Sequence, residues 1–163
     1  MHTTDIAPVL ARVFSELTDG PHSKGGVVLN TGDAGLLRSL DKLGAGEASE
    51  AVHGGATIAA HAQHVRYGLS LMNRWAAEGG NPFADATWDA AWRLSTVSDA
   101  EWQEIRDGLR GETERWQQAL RTPREVTNIE LTGMIGSVAH LAYHLGAIRQ
   151  IATTARGPKE GTF

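Results

Sequence analysis

The chain has 163 residues, 41% of them hydrophobic, which suits one domain with a single core, expected over 1–163, and is short for two. Fifteen basic and 19 acidic residues give a formal charge of −4, and no two Lys or Arg are adjacent, which argues against nucleic acid as a partner. There is no Cys, so disulfides, thiolate ligands and cysteine nucleophiles are excluded, and a metal site must draw on His, Asp or Glu.

Met1-His2-Thr3-Thr4-Asp5 has neither the basic nor the apolar region of a secretory signal. No window reaches the roughly 18 consecutive apolar residues of a membrane span. The expectation is a cytoplasmic protein without a membrane partner.

Asp5-Ile6-Ala7-Pro8 reads as the start of a first helix, with Asp5 as cap and Ile6, Val13 and Leu17 at helical spacing, ending near Asp19-Gly20-Pro21. Nine of the 19 Gly then fall between Gly20 and Gly55, where only Leu36–Leu43 looks helical. A connection this long predicts a partly ordered cover over one end of the domain. A second helix runs from about Thr57 to Glu78, stopped by Gly79-Gly80-Asn81-Pro82. Ile58, His61, Val65, Gly68, Leu69, Met72 and Trp75 form its apolar face, and His64 lies at the edge of that face.

Pro82 to Val97 is irregular and carries Trp88 and Trp92, two of the five Trp in the chain. Ser98-Asp99-Ala100-Glu101 is a capping-box pattern opening a third helix, whose buried side is Trp102, Ile105, Leu109, Trp116 and Leu120. Thr127-Asn128-Ile129-Glu130 repeats that pattern and opens the last helix. The tail Arg156-Gly157-Pro158-Lys159 is expected to fray. Four long amphipathic segments without alternating strand patterns predict an all-α chain, most simply a four-helix bundle with a long crossover connection.

The chemistry gathers on the last helix. His140 and His144 are four residues apart, so their Cβ atoms lie about 5 to 6 Å from one another on one shoulder of the apolar stripe. Each could be a core histidine bonded to a carbonyl, but two polar rings turned inward are costly unless they share a partner, and a divalent metal is one. A third ligand must come from elsewhere in the chain, and the second helix offers one, with His61 nearer the middle of its apolar face and His64 nearer the edge. Three protein ligands with a fourth position open is the arrangement of catalytic rather than structural zinc.

Thr57-Ile58, His64 and Val65, followed far downstream by His140-Leu141-Ala142-Tyr143-His144-Leu145-Gly146-Ala147-Ile148-Arg149, resemble the DinB/YfiT-like superfamily, the downstream run being similar to its terminal HxxxHxGxI pattern. The resemblance covers about Gly46 to Ile151. It implies an up-up-down-down four-helix bundle, a homodimer, and a divalent ion, zinc or nickel, held by His64, His140 and His144. His61 then becomes a pocket or second-layer candidate, and Tyr143, frequent at its position in the family, another. Arg149 on the other shoulder suits an ion pair, and Glu112 and Glu114 suit a solvated helix face.

The resemblance implies a metal-dependent enzyme acting on a small-molecule substrate, either a hydrolase or a transferase using a low-molecular-weight thiol as co-substrate. No general acid or base can be assigned from spacing, which tilts the expectation towards thiol transfer. The alternative is a non-catalytic helical bundle in which the metal is structural, regulatory or absent. The stretches Gly20–Gly55 and Pro82–Val97 are the expected covers of a pocket mouth.

Overall fold

The computed structural model describes residues 1–22, 25–81 and 83–158, and among them it is all-helical. Helices α1 (Ala7–Asp19), α4 (Ile58–Glu78), α6 (Asp99–Arg121) and α7 (Asn128–Ile151) are the long ones. Between them lie α2 (Gly35–Asp41), α3 (Ala45–Ala48) and α5 (Asp89–Trp92), and a short 3-10 turn, Thr153–Ala155, follows α7. No helix among the described residues is long and apolar enough to cross a membrane. Pro82 and Lys159, named above in a helix stop and in the tail, lie outside the described residues.

The long helices start where their side chains can satisfy the free N–H groups of a first turn. Ser98 and Thr127 each close a capping box with the Glu three residues on, and the Thr57 hydroxyl accepts the Ala60 N–H. The first helix differs from expectation. It begins at Ala7 behind an Ile6 that makes no side-chain cap, so Asp5 does not serve as one. Pro8 in its first turn spares the chain one of those N–H groups.

Helices α1 and α4 each pack against both α6 and α7. The apolar stripes meet in one core containing Phe14, Leu17, Ile58, Val65, Trp102, Leu109, Trp116, Leu141 and Ile148. The core indoles keep their N–H groups paired, Trp102 with the Leu43 carbonyl at 2.7 Å and Trp116 with Ser137 Oγ at 2.8 Å.

The glycine-rich stretch is more than a cover. Leu36, Leu40, Leu43 and Ala48 are buried in the same core, and α2 packs against α1 and α6. Its path depends on two glycines at positive φ, Gly20 (94°) and Gly35 (68°), whose backbones touch so closely that a Cβ on either would collide with the other strand of chain. That contact delivers Asp33 to α7. There Arg149 donates both Nη groups to its carboxylate, at 2.9 and 2.5 Å, and Gly35 adds its N–H at 3.0 Å.

Glu16 fixes the other side of this stretch. Its buried carboxylate accepts N–H groups from Val27, Val28 and Leu29 at 2.8, 2.7 and 2.7 Å. Burial alone would raise its pKa, but the three N–H groups, with Arg12 nearby, outweigh it and hold the carboxyl below its ordinary 4.5. A depressed native pKa contributes stability that is present above the unfolded value and lost as pH falls through the native one. Glu16→Gln is expected to cost about 2 kcal/mol at pH 7 in urea unfolding and to reduce the loss of stability below pH 4.5.

Candidate metal centre

Four imidazoles meet where α4 packs against α7. His61 and His64 are one turn apart on α4, His140 and His144 one turn apart on α7, and the short spacing on each helix sets both pairs on the facing sides. His64 Nε2 lies 3.0 Å from His140 Nε2, and His144 Nε2 lies 2.9 Å from the same atom. His64, His140 and His144 each offer a ring nitrogen within 4.8 Å of the others, a group able to hold a metal ion. His61 stands behind them, its Nδ1 2.8 Å from Nδ1 of His144, on the side of that ring away from His140.

The donor set suits a cation. A neutral imidazole nitrogen carries one hydrogen or one lone pair, so His140 Nε2 cannot satisfy both neighbours at once. His64 Nδ1 is buried with no hydrogen-bond partner. Burial pushes the pKa of His64 down to about 4, assisted by the charges of His140 and His61. Burial pushes His144 down to about 3, with His140, His61 and His64 contributing. His61 and His140 are lowered by burial as well. The cluster is therefore neutral at pH 7, the state in which imidazole ligates metals.

The Trp-rich stretch covers this cluster. Trp92 stacks on His64 with ring centroids 4.2 Å apart and planes 29° from parallel, and Trp88 lies 5.3 Å from the same ring. Tyr67 on α4 holds the stretch in place by accepting the Thr87 N–H at 2.8 Å, while the Thr57 hydroxyl donates to the Leu94 carbonyl. The glycine-rich stretch instead reaches α7 further along, at Arg149.

The remaining candidates separate clearly. Tyr143 is 68% exposed and meets the His144 ring edge-on, at 5.0 Å between centroids. Arg149 is spent on Asp33. Glu112 binds Asn73 and Arg115, and Glu114 is exposed. No carboxylate joins the three-histidine group among the described residues.

One feature was not read from the sequence. A cavity of about 420 Å³ lies between α4 and α7, with Met72, Phe83, Trp88 and His140 among its lining residues. Gly68, Gly133 and Gly136 line it, and a glycine repeat facing another helix was the available signal. Set against family models, curated proteins and solved structures, the chain matches none, and its site is known by its own geometry.

Proposed function

We propose that this chain is a metal-dependent enzyme of the DinB/YfiT-like type, in which His64, His140 and His144 hold one divalent ion, zinc or nickel, beside a small-molecule substrate. The observation that carries the reading is the convergence of three neutral imidazole nitrogens within 4.8 Å. The packing of α1 and α4 against α6 and α7 supports an up-up-down-down four-helix bundle. A divalent ion in this place would supply Lewis acidity, either for hydrolysis or for activating a low-molecular-weight thiol.

The chain's own residues divide the remaining work. His61 bonds the far nitrogen of His144, orients its ring and fixes which nitrogen faces the centre. Trp92, stacked on His64, keeps water from one side of the cluster. The lack of a carboxylate beside the trio, among the described residues, supports thiol transfer over hydrolysis. The outer face of α7 supports a homodimer: no charged residue lies between Leu131 and Ile148, yet Ile135 is 46% and Tyr143 68% exposed.

The test is elemental analysis of untagged protein. Wild type is expected to carry about one zinc or nickel per chain, and His64→Ala to carry none. His61→Ala is expected to keep the site with roughly 10- to 100-fold weaker affinity. Metal lost only from the His61 variant would move the α4 ligand to His61. No metal in wild type, and none taken up on titration, would remove the metalloenzyme reading.

A further inference from the structure

The cavity between α4 and α7 has a chemistry that selects its occupant. Three glycines line it: His140 and Trp88 pack close over Gly68, where a Cβ would lie 3.5 Å from each, Met72 packs over Gly133, where a Cβ would lie 3.1 Å away, and the space over Gly136 is open. Phe83 and Trp88 form an aromatic wall with ring centroids 6.2 Å apart. No charged residue lines it among the described residues.

The two hydroxyls on the lining already give their protons to α7 carbonyls. Ser137 Oγ accepts from Trp116 and donates to the Met134 carbonyl at 2.7 Å, and Thr132 Oγ1 donates to the Asn128 carbonyl at 2.8 Å. Among the described lining residues the remaining polar capacity is the His140 ring, the Trp88 indole N–H and the acceptor lone pairs of the hydroxyls, none of them charged at neutral pH. A charged occupant would give up hydration here with no charged partner among the described lining residues to replace it. An apolar one loses nothing, and about 420 Å³ falls within the range of small-molecule sites.

We infer that this cavity binds the neutral apolar part of the substrate, an aromatic ring or branched alkyl group, and points its reacting end at His140. The assignment of a substrate rests on the metal-centre reading, whereas occupancy of the cavity by an apolar ring stands without it. The inferred substrate is thus a small molecule with an uncharged apolar body.

Fluorine NMR with 4-fluorotoluene separates the two claims. Metal-stripped wild type is expected to bind the probe saturably. Gly136→Leu is expected to weaken that binding at least tenfold, because Gly136 lines the cavity, a Cβ there meets nothing within 4 Å, and the added side chain would take up part of the space. Gly146→Leu, at a position where a Cβ also meets nothing within 4 Å but which does not line this cavity, is expected to leave it unchanged. Cobalt-loaded protein is expected to broaden the bound signal and zinc-loaded protein not to.

Absence of saturable binding to wild type, or equal binding by Gly136→Leu, overturns the inference even if metal binds. Probe binding that Gly136→Leu abolishes, in a chain that takes up no cobalt, supports the cavity assignment and overturns the metal centre. A dimer that Gly136→Leu dissociates, with no probe bound by wild type, gives the cavity to a second copy of the chain and overturns the inference.

Discussion

His144→Leu is expected to abolish stoichiometric metal binding and, in metal-stripped protein, to make the fold more resistant to acid. The first effect removes one of three converging nitrogens, so the loss of affinity should exceed the roughly 10- to 100-fold typical of an outer partner such as His61. The second follows from the direction of the pKa shifts. In the native chain burial holds His144 near 3 and His64 near 4, whereas in the unfolded chain both return to about 6.5. Between those limits the unfolded state binds protons that the native state refuses, so stability falls as pH drops below 6.5 and is level above it. At pH 5 each histidine held neutral costs about 2 kcal/mol relative to pH 7.5. Urea midpoints of chelator-treated protein at the two pH values measure this. The slope should be steep in wild type and shallower in His144→Leu, and equal slopes would show that the histidine cluster is not what burial makes acid-sensitive.

Asp33→Ala is expected to destabilise the fold by about 3 to 5 kcal/mol, because it leaves a guanidinium that is 15% exposed without its carboxylate. The bidentate contact, with Gly35 N–H on the same carboxylate, is the link between the glycine-rich stretch and α7. Burial by itself would raise the pKa of Asp33, but Arg149 and the Gly35 and Ala34 N–H groups outweigh it and hold it below its ordinary 3.8. Its contribution is therefore complete near neutral pH and is lost as acid protonates it. Arg149→Met in the Asp33→Ala background should restore part of the loss, since two apolar partners leave no stranded charge. A cost below about 1 kcal/mol in the single variant would mean that the pair is solvated in practice.

The long helices were legible because apolar residues recur at helical spacing in each, capping boxes mark the starts of α6 and α7, and Gly or Pro follows the ends of α1, α4 and α6. The first helix starts without its predicted cap because Asp5 lies inside the turn Thr4–Ile6, where the Ala7 N–H is already bonded to the Thr3 carbonyl at 2.8 Å. The role of the glycine-rich stretch was not legible. Leu36 and Leu40 were visible as a short helix, but its burial depends on the Gly20–Gly35 contact and on Asp33 finding Arg149, 116 residues away. Spacing marked His140 and His144 as a pair, and helical angle left His61 and His64 unresolved. Periodicity locates a face, not which nitrogen of a ring points forward. The structure separates the two by setting His61 on Nδ1 of His144 and His64 beside Nε2 of His140.

The two halves of the centre are far apart along the chain. His64 and His140 are 76 residues from one another, with α5 and α6 between them. Closing a loop of that size is an entropic cost that must be met before the imidazoles touch, and it grows only slowly with length. An ion gripping both helices would act as a reversible cross-link, binding the native chain and not the open one, and would stabilise it in proportion to the logarithm of its concentration. Assembly of the centre would then report that the last helix has closed onto the rest.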